Sequence, residues 1–184
     1  MWKVGVDGSH PVRLLADATG EPPLVALGDR QVVVLLNRPG QQTPWMMPLE
    51  GGSPTQLSAM FADVPDVSPD GASLAFISRG DDRRPALIVC ELPRCVPRRI
   101  ATGANFSPTR VRWLPGGRAI AYVDNAALLN LWVQPIDAGA PYQLTHFTDG
   151  RSIFDFAWSH DGTRLAISRS TTTNDIVLFK GLKP

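Results

Sequence analysis

Apolar residues along this chain come in short runs rather than on a helical stripe. Gln31–Leu36, Leu74–Ser78, Ile120–Val123 and Leu165–Ser168 are rich in β-branched, aromatic or small residues, and turn residues bound each one. No window of helix length keeps apolar residues at i, i+3, i+4 and i+7 without a Gly or Pro interrupting it. Such segments predict strands of about five residues. Sixteen glycines and seventeen prolines punctuate them at regular intervals. The fold class expected is all-β.

The punctuation is periodic. Ser68-Pro69-Asp70-Gly71 precedes Leu74-Ala75-Phe76, Leu114-Pro115-Gly116-Gly117 precedes Ile120-Ala121-Tyr122, and Ser159-His160-Asp161-Gly162 precedes Leu165-Ala166-Ile167. Gly71, Gly117 and Gly162 are 46 and 45 residues apart. A weaker copy, Leu27-Gly28-Asp29-Arg30 before Val32-Val33-Val34, lies one unit earlier. Trp2, Trp45, Ile88, Trp132 and Ile176 form a second series with steps of 43, 43, 44 and 44. Leu14, Leu57, Ile100 and Leu144 form a third, with steps of 43, 43 and 44. Three features with one period define a repeat.

Each unit has the same logic. A strand ends near Val67, Trp113 or Trp158, and an Asp-Gly or Gly-Gly turn follows, its glycine supplying the positive φ of a tight hairpin. A small-apolar strand comes next, then a third strand at the Trp132 position. A turn such as Asp7-Gly8 or Asp137-Ala138-Gly139 leads to a fourth strand ending in Leu-Thr or its equivalent. Four antiparallel strands in roughly 40–45 residues is the size of one β-propeller blade.

Trp158-Ser159-His160-Asp161-Gly162 through Leu165-Ala166-Ile167, and Leu131-Trp132-Val133 through Gln143-Leu144-Thr145, resemble TolB-type propeller repeats. The resemblance spans nearly the whole chain, with blades at 21–58, 60–101, 106–145 and 152–182. It is close for the last three and loose for the first, where Gly28-Asp29 replaces the Asp-Gly. The stretch from Gln143 through Trp158 to Leu178 is similar to the C-terminal end of bacterial membrane-anchored Ser/Thr protein kinases and winged-helix regulators that carry such a propeller. In those proteins the catalytic or DNA-binding module lies upstream. The resemblance therefore implies a sensor or interaction module with a kinase or regulator domain upstream in a parent chain. A kinase's own motifs are absent: there is no Gly-rich loop followed by a strand lysine, no His-Arg-Asp and no Asp-Phe-Gly.

Trp2 falls at a third-strand position and Leu14 at the end of a fourth strand. Residues 1–14 thus read as the outer half of a blade, and 152–182 shows three strands, for seventeen strands in all. The expectation is an incomplete ring, the C-terminal fragment of a larger propeller. In the alternative, Pro11–Leu14 gives the last unit its missing outer strand and closes a four-bladed ring, which leaves Trp2–Val6 without a place.

Charge narrows the partners. Eighteen Lys+Arg against seventeen Asp+Glu leave a formal +1, which argues against nucleic acid or a membrane surface as the ligand. The longest apolar run, Val32–Leu36, is far short of the roughly 18 residues of a membrane span. Met1-Trp2-Lys3-Val4-Gly5 lacks the apolar stretch of a secretory signal. Localisation stays open: extracytoplasmic if the parent is membrane-anchored, otherwise cytoplasmic.

The chemistry-bearing residues have structural readings. His10, His146 and His160 lack the spacing of a zinc site, and no metal, cofactor or catalytic residue is expected. Ser159-His160-Asp161 has the letters of a triad, but consecutive residues cannot converge on one proton relay. Cys90 and Cys95 flank the turn between third and fourth strands. They can form a cross-hairpin disulfide, which suits an oxidising compartment, or stay as two thiols with Cys90 buried. Arg79-Gly80-Asp81-Asp82-Arg83-Arg84 reads as a solvated loop tip rather than an adhesion site. Asp70, Gly71, Gly117, Asp161 and Gly162 shape turns, and Trp45, Trp113, Trp132 and Trp158 fill the wedge between blades. A protein or small-ligand site is expected on the loops joining blades, 58–66, 102–109 and 145–153, with Asn105, His146, Asp149 and Arg151 as its polar residues. The function expected is non-catalytic recognition, with an accessory propeller of a peptidase or a TolB-like envelope protein as the alternatives.

Overall fold

A computed structural model describes residues 1–15, 24–38, 41–79, 84–102, 108–124, 129–137 and 139–171. The strands form a meander in which each pairs antiparallel with its neighbour in the chain. A two-stranded sheet comes first, β1 (Trp2–Lys3) with β2 (Val12–Arg13). Three four-stranded blades follow. Blade I holds β3 (Leu24–Leu27), β4 (Gln31–Arg38), β5 (Gln41–Pro48) and β6 (Thr55–Gln56). Blade II holds β7 (Asp63–Val67), β8 (Ser73–Arg79), β9 (Pro85–Glu91) and β10 (Arg98–Thr102). Blade III holds β11 (Pro108–Trp113), β12 (Ala119–Asp124), β13 (Leu131–Pro135) and β14 (Tyr142–Gln143). A last pair, β15 (Ser152–Trp158) and β16 (Leu165–Ser170), completes the series. Ile176, Asn105 and the Gly80–Arg83 loop tip lie outside the described residues.

In blades I to III the second strands are buried on both faces, which is why they read as unbroken apolar runs, whereas β16 alternates between half-buried and exposed residues. Val32, Val34 and Leu36 meet Met1, Leu14 and Leu15, while Val33 and Leu35 meet Leu74, Phe76 and Ile88 of blade II. Ala75 and Ile77 then face Val111, Ile120 and Tyr122 of blade III, and Ala121 and Val123 face Ile153 and Phe156. At each joint, side chains of one sheet's trailing face fill the leading face of the next. β7 lies against β3 on one side and β11 on the other, so first strands occupy the narrow end of the wedge. Strands β4 and β5 run to eight residues each, longer than their apolar runs, because the ladder continues through polar Asn37 and Gln42.

The third-strand markers share one register. Trp2 stands opposite Arg13, Trp45 opposite Gln56, Ile88 opposite Arg99 and Trp132 opposite Gln143. The pair is closed by Leu14 N–H to Met1 O at 3.0 Å, Leu57 to Pro44 at 2.9 Å and Leu144 to Leu131 at 2.8 Å. β1 and β2 are therefore built as the third and fourth strands of a blade. Val12–Arg13 pairs with Trp2–Lys3, and among the described residues it pairs with neither strand of the last sheet, which is consistent with an incomplete ring. The four tryptophans also separate into two sets. Trp45 and Trp132 sit in third strands, half-buried against the preceding blade, whereas Trp113 and Trp158 end first strands.

The first turns of blade II and of the last sheet are copies of one another. Ser68 Oγ donates to Asp70 Oδ1 at 2.6 Å, Asp70 Oδ1 accepts Ala72 N–H, and Gly71 N–H bonds to Ser68 O. Ser159, Asp161, Thr163 and Gly162 repeat those bonds. The Ser159 hydroxyl is thus held by the Asp161 carboxylate inside a turn, with His160 exposed.

Candidate functional site

The loop from blade III to the last sheet is fixed from beneath by Asn130. Its Oδ1 accepts Phe147 N–H at 2.7 Å and the Thr145 hydroxyl at 2.9 Å, and its Nδ2 donates to Phe147 O at 3.2 Å. Thr145 Oγ1 accepts Leu131 N–H at 2.9 Å, and Gln143 Nε2 donates to Thr145 O at 2.7 Å. Blade I uses a related device, with Gln56 Nε2 on Ser58 O and Gln42 Nε2 on Ala62 O. These bonds satisfy loop main-chain groups and hold the loop in one shape.

On that base sits a charged cluster. Asp149 accepts a hydrogen bond from Arg169 Nη2 of β16, and Arg151 Nε lies 3.8 Å from the other carboxylate oxygen. The Arg169 guanidinium stacks over the Phe147 ring, 3.5 Å from its centroid, a cation–π contact. The hydrogen bond from Arg169 holds the Asp149 carboxyl below its usual range, with Arg151 N–H and both guanidinium charges adding to the effect. Of the expected loop residues, Asp149 and Arg151 thus come together, exposed His146 shares their loop, and Asn105 is not described. Arg169 and Asn130 have no loop signature in the sequence, since one reads as a strand residue and the other as part of a turn.

First strands carry a second charged array. Arg110 and Arg112 of β11 approach Asp155 of β15 at 3.6 and 3.8 Å. Asp66 of β7 accepts Trp113 N–H on Oδ2 at 2.7 Å, and Trp113 Nε1 donates to Asp66 O at 3.1 Å. Burial pushes the Asp66 carboxyl up to about 6, against the opposing pull of Trp113 N–H and Arg112. Arg112 is the blade III residue at the Asp66 position, and its side chain cannot accept the main-chain N–H of Trp158 as the Asp66 carboxylate accepts that of Trp113. Trp158 Nε1 is buried without a hydrogen-bond partner among the described residues.

On the opposite end of the sheets, a disulfide joins Cys90 and Cys95 with Cα atoms 4.8 Å apart. It staples a turn that has no glycine, whereas the equivalent turns use Gly8, and Gly51 and Gly52, at positive φ. Beside it lies an open cleft of about 660 Å³ lined by Ser73, Glu91, Arg94, Arg98 and Ile136, where Arg98 Nη1 donates to Ile136 O. Among the described residues no three His, Cys, Asp or Glu side chains come close enough to hold a metal ion. The array is suited to polar recognition: guanidinium groups on fixed elements can grip carboxylates or peptide carbonyls.

No protein-family model and no curated protein matches this chain. Solved structures do. TolB from Acinetobacter baumannii superposes with a TM-score of 0.72 at 17% identity, over 94% of this chain and 44% of that one. An oligogalacturonate lyase from Vibrio parahaemolyticus gives 0.65 at 13% identity, over 89% of this chain and 49% of that one. The β-propeller domain of the Trilobed protease from Pyrococcus furiosus, with an open velcro topology, gives 0.52 at 15% identity, over 72% and 45%. The chain spans less than half the length of each. At these identities the likeness establishes the fold, a TolB-like β-propeller, and proteins of that fold differ widely in activity.

Proposed function

We propose that this chain is a non-catalytic recognition module that binds a protein or small ligand through the loops joining its blades. The observation that carries this reading is the Asp149–Arg151–Arg169 cluster stacked on Phe147 and anchored by Asn130. Short loops on a rigid sheet framework present such groups at fixed positions, which lowers the entropy cost of binding. The finer reading is a sensor or interaction end of a bacterial signalling protein that carries a kinase or winged-helix module. Its support is the resemblance of the stretch from Gln143 to Leu178. The disulfide adds that an oxidising compartment suits the chain.

The test is affinity capture from bacterial extract with three baits: the wild-type chain, an Arg151→Ala/His146→Ala variant, and a His160→Ala control on the opposite end. A partner held by wild type and control and lost by the loop variant supports the reading. Equal retention by all three baits refutes it.

A further inference from the structure

The cleft beside the Cys90–Cys95 turn is walled by described residues of two intact blades, and the strand register shows how it arises. Side chains alternate along a strand, and residues directly opposite share a face. Val89 lies on the face of blade II that packs against Val111, Ile120 and Tyr122 of blade III. Glu91, two residues on, lies on that face, as does Arg98, which stands opposite Val89. The apolar joint between the blades thus ends in a rim of opposite charges beside Val89 and Ile136. Arg98 is braced across the joint, its Nη1 donating to Ile136 O at 2.9 Å. The other fourth strands carry Val12, Thr55 and Tyr142 at its register position. Arg94 is equally particular to blade II. Leu49 N–H bonds to Arg30 O and Leu92 N–H to Ala72 O, which sets Arg94 at the position of Gly51, where φ is +95°. The disulfide shapes this turn without glycine, so position 94 can carry a long side chain. Neither Glu91 nor Arg94 forms an ion pair among the described residues.

We propose that this cleft binds a free α-amino acid with an apolar side chain. The guanidinium groups of Arg98 and Arg94 take its carboxylate, Glu91 takes its ammonium group, and Val89, Val96 and Ile136 receive its side chain. Guanidinium forks suit a carboxylate. Charges of both signs on one rim match a zwitterion, whereas Glu91 repels a simple anion and the two arginines repel a simple cation. A volume of about 660 Å³ lies within the range of small-ligand sites. The cleft is at the turn end of the sheets, apart from the Asp149 cluster, so this site is independent of recognition by the loops.

Titration of the full chain, its disulfide intact, with L-leucine tests this by amide NMR shifts. Saturable shifts at Glu91, Arg94, Arg98 and Ile136, with none at Asp149 or Arg151, are the expected result. N-acetyl-leucine lacks the ammonium group and leucinamide lacks the carboxylate, so each should bind at least about tenfold more weakly. Glu91→Gln should weaken leucine by a similar factor and leave N-acetyl-leucine undiminished, which separates a lost contact from a disturbed fold. Absence of shifts at millimolar leucine overturns the proposal. Equal binding of leucine and N-acetyl-leucine also overturns it, since the cleft would then hold a carboxylate without using Glu91.

Discussion

Gly162 lies so close to Pro115 that a Cβ added to the glycine would sit 2.5 Å from Pro115 Cβ. Each first turn nests on the turn of the blade before it. An added Cβ at Gly71 would meet Leu27 at 3.5 Å and one at Gly117 would meet Pro69 at 4.0 Å. The glycines of the repeat thus serve the turn, at φ near +70°, and also the spacing between blades.

Alanine at Gly162 therefore combines a left-handed backbone cost of about 1–2 kcal/mol with an overpacking cost of about 1–3 kcal/mol. Alanine at Gly71 carries the first cost alone. Urea unfolding should rank Gly162→Ala below Gly71→Ala in stability; equal losses would show that the turns do not nest.

Asp66 gives the fold a pH dependence of unusual sign for a carboxylate. Its carboxyl titrates at about 6 in the folded chain against 3.8 for an ordinary Asp, so between those values the folded state binds the extra proton. Stability from this group is full below about pH 4, falls as pH rises through 6 and is level above. A shift of about two units corresponds to at most about 3 kcal/mol. Asp66→Asn keeps an acceptor for Trp113 N–H without the charge, so the difference between variant and wild type should widen between pH 4 and 6 in the variant's favour. Asp70, Asp149 and Asp161, held below the usual range by hydrogen bonds, act oppositely at lower pH and cancel in that difference.

Asn130 makes three bonds to the 145–147 loop. Asn130→Ala strands Phe147 N–H and should cost about 1–3 kcal/mol. Hydrogen exchange should speed up at Phe147 and leave the Ser68–Gly71 turn unchanged. Unaltered exchange at Phe147 would mean the loop is held by other groups.

The Cys90–Cys95 bridge closes a short loop, with a sequence separation of 5. Chain-entropy arguments put its contribution at about 2 kcal/mol. Reduction should lower the unfolding midpoint accordingly, and the Cys90→Ala/Cys95→Ala variant should match reduced wild type. A larger drop would indicate that the staple also supports the cleft beside Ile136.

The architecture was legible because it rests on repetition. Glycine turns, third-strand markers and Leu-Thr endings recur with one period, and strands buried on both faces leave unbroken apolar runs such as Val32–Leu36. The site was less so. Asp149 and Arg151 stand in a loop where polar residues invite attention, but Arg169 is embedded in a strand and its approach to Asp149 depends on how two elements pack. Asp66 looks like any strand-end acid until its burial against Trp113 is seen. Contacts between blades follow no local pattern, and neither do the charges they bring together.

The recognition reading turns on which end of the sheets meets a partner. A photo-crosslinking residue at position 146, on the loop side, compared with one at position 160, on the turn side, tests it most directly. Crosslinks to a partner from 146 and none from 160 are the predicted result. Crosslinks confined to 160 would place recognition on the turn face and contradict the account.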